Sequence, residues 1–324
     1  MMNQINQYIL STVKATSISK TEEIQSLWSG YGSIKRYFLE GGRSATVIVK
    51  HVQLSKVKNH PRGWNTDLSH QRKVKSYEVE TNFYQNFSQK ADEFCRIPQC
   101  FGVQHFDEDV VIVMEDLDSV GYPSRLGNAN WEQMKGCIDW LAHFHAQFLN
   151  TAPIDLWDIG TYWHLDTRPD ELDVLDDIPL KSAAKNIDDI LNNAKYKTLV
   201  HGDAKLANFC FSEDHQSVAS VDFQYIGGGC GMKDLAYFVG SCLYEEDCEK
   251  YEKDILQYYF DQLESAVLKK QSDVDFEELK EEWTRLYPIA WADFHRFLKG
   301  WSPGHWKINS YSEKICRQVI ASLK

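Results

Sequence analysis

The chain begins with short apolar runs broken by glycine and ends in long stretches of helical spacing. Between residues 24 and 52, the segments IQSLW, KRYFL and ATVIVKHV are separated by glycine-containing turns, the second being Gly41-Gly42-Arg43. That pattern predicts three strands. Residues 53–71 are polar and contain Pro61-Arg62-Gly63, which predicts a loop. Residues 72–88 predict a helix: on a wheel of about 100° per residue, Tyr77, Phe83, Tyr84 and Phe87 share one face. Glu80 falls in the middle of that face, and Glu78 falls opposite. Val110 to Leu117 predicts a strand running into a connector. From Trp131 the spacing is mainly helical, interrupted by a strand at 196–200 and a hairpin around 208–222. After Gly231 it is helical again. This order predicts an α+β chain of two lobes. Residues 1–115 form a small β-rich lobe with one helix, and residues 116–324 a large, mainly helical one. A cleft between such lobes is a common place for a nucleotide.

Composition narrows the class. The chain has 324 residues, 43% of them apolar and 25% charged, enough for a sizeable core. No apolar stretch approaches the roughly 20 residues that span a bilayer, so no membrane partner is expected. MMNQINQYIL lacks the basic start and apolar core of a secretory signal. Eight cysteines occur without a CxxC pair or a Cys/His cluster, and they read as reduced thiols of a cytoplasmic protein. The net charge of −12 is uneven: residues 1–115 hold 14 basic and 12 acidic residues, the remainder 21 and 35. An acidic large lobe argues against nucleic acid. It would attract a cationic substrate, although solubility alone accounts for it.

The densest chemistry lies in Thr198-Leu199-Val200-His201-Gly202-Asp203-Ala204-Lys205-Leu206-Ala207-Asn208-Phe209. An apolar strand delivers a short polar loop that holds an Asp and an Asn five residues apart. Phosphoryl transfer needs such a pair, a carboxylate to accept the hydroxyl proton and an amide oxygen to hold a metal. Lys205 sits two residues after Asp203, where a cation could face the transferred group. Phe209-Cys210-Phe211 and Val218 to Val221 then flank a polar turn, and the second strand ends at Asp222-Phe223-Gln224. A hairpin returns to its start, so Asp222 is expected near Asn208. Two oxygen ligands there suit Mg²⁺.

HGDAKLAN resembles the H-G-D-x-x-x-x-N loop of aminoglycoside phosphotransferases and choline kinases. VDFQ, the following Asp234 to Phe238 (DLAYF) and the connector Met114-Glu115-Asp116-Leu117 resemble the ecdysteroid-kinase-like branch of that superfamily. The resemblance spans roughly residues 24–245. It implies a protein-kinase-like fold, ATP, Mg²⁺ and transfer to a substrate hydroxyl. It also implies Asp203 as base, Asn208 and Asp222 as metal ligands, Asp234 as a brace for the loop, and His201 as structural support. Lys205 departs from many relatives, which carry His or an aromatic residue there.

In the small lobe, Lys50 ends the run Val47-Ile48-Val49 and shares a strand face with Ile48. A lysine there can reach phosphate oxygens. Glu80, on the apolar face of its helix, needs a partner if buried, and Lys50 is the natural one. Gly30-Tyr31-Gly32-Ser33 lies between two strands about 20 residues before Lys50. There Gly30, Gly32 and Ser33 would let backbone N–H groups approach phosphates. The connector is expected to bind adenine through the Glu115 carbonyl and the Leu117 N–H.

The acceptor side is less defined. Residues 283–306 are rich in aromatics, from which Trp291 and Trp301 are the candidates to line a pocket. An aromatic wall suits an amino alcohol or aminoglycoside-like amine, and equally a flat steroid-like alcohol. Core packing explains most of these residues, and His145 reads as a structural histidine. The expected function is an ATP- and Mg²⁺-dependent small-molecule kinase. A nucleotide-binding regulatory pseudokinase is the alternative, and a protein kinase a weaker one. Oligomeric state is not encoded in these patterns.

Overall fold

The structure, a computed structural model, describes residues 1–27, 30–54, 67–270 and 273–323. Pro61-Arg62-Gly63 and most of the expected 53–71 loop lie outside the described residues, as does Trp28.

Ile5, Ile9 and Val13 recur every four residues, and that spacing winds Met2–Val13 into α1, an element not expected above. Lys14, in the left-handed region at φ 56°, ends it. Five antiparallel strands follow, with one helix inserted: β1 (Ser17–Ser26), β2 (Gly32–Glu40), β3 (Thr46–Gln53), α2 (Asp67–Asn86), β4 (Cys100–Phe106) and β5 (Asp109–Glu115), in spatial order β1-β2-β3-β5-β4. Of the first expected strand, IQSLW, Ile24 to Ser26 are thus the tail of a longer strand. β1 is polar and largely exposed, carrying Lys20, Glu22 and Glu23. Such charges discourage pairing at an open sheet edge.

The two-residue period of β3 and β5 sorts their side chains. Val47, Val49, Val111 and Val113 pack beneath α1 with Ile5 and Ile9. Val52, Ile112 and Met114 take the other face, towards α2, and Lys50 stands opposite Ile112 in the register. Lys50 is thereby aimed at the helix that carries Glu80.

Asp116 caps a short turn at Leu117–Val120 by accepting from the Asp118 N–H at 3.3 Å. The large lobe then comprises α3 (Trp131–Gln147), α4 (Pro169–Asp173), α5 (Ile178–Asn192), β6 (Thr198–Val200), β7 (Phe209–Phe211), β8 (Val218–Ser220), β9 (Gly227–Gly229), α6 (Met232–Cys242), α7 (Glu245–Lys269), α8 (Phe276–Trp301) and α9 (Ser310–Ser322). β7 and β8 form the expected hairpin, and β6 pairs with β9. Glycine is required in β9, because a Cβ on Gly227 would lie 2.1 Å from the Trp157 carbonyl oxygen. One continuous core joins α2 to the large lobe; Phe83 stacks on Phe223 with centroids 4.3 Å apart. Among the described residues, no helix is long and apolar enough to cross a membrane.

Candidate active site

β6 runs into a loop shaped from below by one carboxylate. Asp234, fully buried near the start of α6, accepts from the main-chain N–H of His201 (2.5 Å) and of Gly202 (2.9 Å). It also meets His145 Nε2 at 3.1 Å, and His145 Nδ1 lies 2.7 Å from the Tyr259 hydroxyl. Gly202 has φ 78°, and a Cβ there would sit 2.1 Å from the Tyr225 carbonyl oxygen, so no other residue fits. His201 lies beneath the loop. Its Nδ1 accepts from the Asp203 N–H (3.3 Å), so Nε2 carries the proton and donates to the Val221 carbonyl (3.1 Å).

Asp203 is held by three donors. Oδ2 accepts from Lys205 Nζ at 2.9 Å and Asn208 Nδ2 at 3.2 Å, and Oδ1 accepts from the Tyr237 hydroxyl at 3.0 Å. Burial and then Asp203 push the Tyr237 phenol well above its ordinary pKa, so it remains a donor. Burial pulls Lys205 down, but Asp203 outweighs it and keeps the ammonium charged.

Asp222 follows β8 with φ 71°, a left-handed conformation that non-glycine residues adopt at a cost. Val221 N–H donates to the Asn208 carbonyl (3.0 Å), which holds the two ends of the hairpin together. Against burial, Lys50, Lys205 and Lys73 hold the Asp222 carboxyl below its ordinary range. Its Oδ1 is buried and has no hydrogen-bond partner, the nearest cation being Lys50 Nζ at 3.6 Å. Asn208 spends its amide N–H on Asp203, leaving its amide oxygen to offer a cation. An orphaned carboxylate oxygen beside an amide oxygen is the donor set that Mg²⁺ takes. Among the described residues, no group of three or more His, Cys, Asp or Glu could hold a metal ion, so further ligands would come from phosphate and water.

Lys50 and Glu80 meet at 2.6 Å, both buried. Burial alone would strip the charge from Lys50, but Glu80 and Asp222 hold its pKa above the ordinary value. The pair opens onto an interlobe cleft of about 820 Å³, lined also by Ile34, Ile48, Leu117, Asp203, Asn208 and Asp222. Glu115 lines it too, with its carboxylate engaged by Arg96 and by the Gln99 N–H (3.1 Å).

Gly30, Gly32 and Ser33 are not brought into this lining; Glu22 to Gln25 and Leu27 occupy that part of it. The reason is local packing. Tyr31 turns inward, its hydroxyl 2.7 Å from His70 Nδ1, and a Cβ on Gly32 would meet the His51 carbonyl at 1.9 Å. Gly32 thus serves the close approach of β2 to β3, and Gly30 takes a left-handed φ of 78°. Trp291 is likewise a core residue, packed on Tyr311 and Gly240. Trp301 belongs to a separate aromatic cluster with Trp163, Tyr237 and Phe297.

Several site residues escaped the sequence reading. Tyr237 lies within the DLAYF segment, where its apolar neighbours disguise it. Arg36 on β2 binds Asp116 at 2.7 Å and also Asp118, which in turn holds Arg125 at 2.9 Å; the small lobe is thereby pinned to the connector. Lys73 lines the cleft two helical turns before Glu80, a spacing that could have revealed it. Its Nζ donates to Gln224 Oε1 at 2.6 Å and lies 4.7 Å from the Tyr77 ring centroid, a ring that also faces Lys50 at 5.6 Å. Among the described residues, Arg36, Lys50, Arg125 and Lys205 each pair with a carboxylate in the cleft, whereas Lys73 makes no such pair.

The model of the ecdysteroid kinase-like family matches residues 40–152 and 174–272. No curated protein sequence matches the chain. Among solved structures, an amicoumacin kinase in complex with AMP-PNP, Ca²⁺ and Ami is similar over 100% of this chain and 96% of its own, with a TM-score of 0.54 at 12% identity. An ethanolamine kinase from Plasmodium vivax is similar over 98% and 88%, with a TM-score of 0.53, also at 12% identity. The shared architecture is the two-lobed protein-kinase-like fold.

Proposed function

The chain belongs to the ecdysteroid kinase-like family, and on that premise we propose that it is a phosphotransferase moving the γ-phosphoryl group of ATP to a hydroxyl of a small molecule. The observation that carries this reading is convergence: Lys50 and Glu80, the loop residues Asp203 and Asn208, and Asp222 come from four separate segments and open onto one cleft. Structural similarity to kinases named for amicoumacin and ethanolamine supports the same class.

In this reading the nucleotide lies beneath Ile34 and Ile48, with the Glu115 carbonyl and Leu117 N–H at its base. Lys50, fixed by Glu80, reaches the phosphates, and Lys73 supplies a positive charge that is not tied up in a direct ion pair. Asn208 and Asp222 would hold Mg²⁺, which when bound neutralises charge on the phosphate oxygens. Oδ2 of Asp203 already accepts two hydrogen bonds, so its less occupied Oδ1 takes the acceptor proton. The freed oxygen forms its bond to phosphorus as the bond to the bridging oxygen breaks, and ADP departs. Lys205 lies beside the path of that charge. Positioning and neutralisation supply most of the rate, because this chemistry asks little covalent work of the protein.

Two measurements test the reading. ADP release across a panel of hydroxylated metabolites and antibiotics would reveal turnover. Calorimetric titration with ATP, with and without Mg²⁺, should show metal-dependent binding that Asp222→Ala removes. Wild-type protein that ignores ATP in the presence of Mg²⁺ would sink the assignment. An unchanged metal dependence in Asp222→Ala would remove Asp222 from the ligand set.

A further inference from the structure

The loop between α8 and α9 carries Lys307 back over α6. Its Nζ lies 4.9 Å from the ring centroid of Tyr237, 5.6 Å from that of Phe294 and 5.7 Å from that of Trp306. Tyr237 is the residue whose hydroxyl donates to Asp203. Lys307 and the proposed base therefore touch the face and the hydroxyl of one phenol.

Cations are frequent in this aromatic region, and the others are cancelled. Arg168 lies over Phe297 at 5.3 Å and pairs with Glu171 at 3.1 Å. Arg296 is buried and pairs with Asp293 at 2.8 Å, a carboxylate that also accepts from Trp163. Lys307 makes no ion pair among the described residues; besides burial, the groups acting on its charge are the Cys242 thiol, Asp203 and Lys205. Burial pulls its pKa down to about 8, leaving a protonated, poorly solvated ammonium near neutral pH.

Aromatic faces next to a base are what a protonated or quaternary amine would seek. Here the protein's own ammonium has taken those faces. A cationic acceptor placed against them would meet a like charge in desolvated surroundings, which is unfavourable. Resting on the phosphotransferase reading, we propose that the acceptor is an alcohol bearing an anionic group, a carboxylate or its equivalent, which pairs with Lys307 while the hydroxyl reaches Asp203. The overall negative charge of the large lobe points the other way at long range, but a contact ion pair in a partly buried site outweighs screened distant charges.

The test compares three matched probes: para-hydroxymethylbenzoate, its carboxamide, and para-hydroxymethylbenzylamine. Their binding is followed by NMR titration, which needs no turnover. Wild-type protein should bind the benzoate about tenfold or more tighter than the amide, and the amine weakest of the three. Lys307→Met should erase that order, and Lys307→Arg, which keeps the charge, should retain it; thermal melts of both establish folding. The inference is overturned if the amine binds as well as the benzoate, if the order survives Lys307→Met, or if the benzoate does not bind below about 10 mM. Failure of the underlying reading looks different: the benzoate would bind through Lys307, yet ATP would neither bind nor release ADP. Turnover with amine acceptors alone would refute the charge assignment and leave the kinase reading standing.

Discussion

Lys50 and Lys307 come to the catalytic loop from different lobes, and both are withdrawn from water by different means. Lys50 meets carboxylates, Glu80 at 2.6 Å and Asp222 at 3.6 Å, and its pKa is held above the ordinary value. Lys307 meets rings, and its pKa is pulled down to about 8. On the proposed reading, the nucleotide side thus largely pairs its own charges before any ligand arrives, and the acceptor side leaves one positive charge for a ligand to answer.

Breaking the chemistry between the two sides should give the largest effect. Asp203→Asn is expected to lower kcat by about 10²–10⁴ while leaving ATP affinity close to wild type, measured by ADP release and calorimetry. A kcat near wild type would remove Asp203 as the base. Next comes stability. Lys50→Met strands Glu80 in the core, and breaking a buried pair costs about 3–5 kcal/mol. Lys307→Met strands no carboxylate, and the loss of ring contacts worth roughly 0.5–2 kcal/mol is offset by relief of desolvation. Urea denaturation should therefore separate the two variants clearly, and equal losses would dissolve the contrast. A smaller effect is expected at Lys73. Lys73→Met should weaken a triphosphate about tenfold and leave AMP unchanged, as loss of one charge-assisted hydrogen bond would do. Equal weakening of both nucleotides would place Lys73 away from the terminal phosphate.

The finest distinction lies in pH. Between about 8 and 10.5 the unfolded chain holds a proton on Lys307 that the folded chain has lost, so stability contributed there rises with pH. Lys50 has the opposite sign: its folded pKa lies above 10.5, and its contribution is present below that value and lost as pH rises through the folded one. Denaturation of wild type, Lys50→Met and Lys307→Met at pH 8 and pH 10 should show wild type gaining on Lys307→Met at the higher pH. A wild-type loss relative to Lys307→Met would reverse the assigned environment.

What could be read in the sequence follows from how local its cause is. β3, α2, β5 and the β7–β8 hairpin carry dense apolar periodicity and were legible. Glu80 was legible because a carboxylate on an apolar helix face demands a partner. β4 was missed because a bulge between Cys100 and Gly102 breaks its alternation, and β9 because three glycines carry no pattern. α1 was passed over because its three buried residues, Ile5, Ile9 and Val13, sit among polar ones. The aromatic region misled for a physical reason: rings spaced for a helix say nothing of which face a distant loop will cover. Lys307 reaches Tyr237 from 70 positions away, and Arg36 reaches Asp116 across 80.

On the proposed phosphotransferase reading, the three donors on Asp203 bear on how the site waits. ATP bound beside an open cleft would be exposed to water that could attack in place of the acceptor. With Lys205 and Asn208 on Oδ2 and Tyr237 on Oδ1, a stray water finds little unshared carboxylate to orient it. An alcohol fixed at a second point can displace a donor that a lone water cannot. Idle hydrolysis of ATP should accordingly run slowly in this protein and rise when Tyr237 is changed to Phe, which frees Oδ1 without altering the ring.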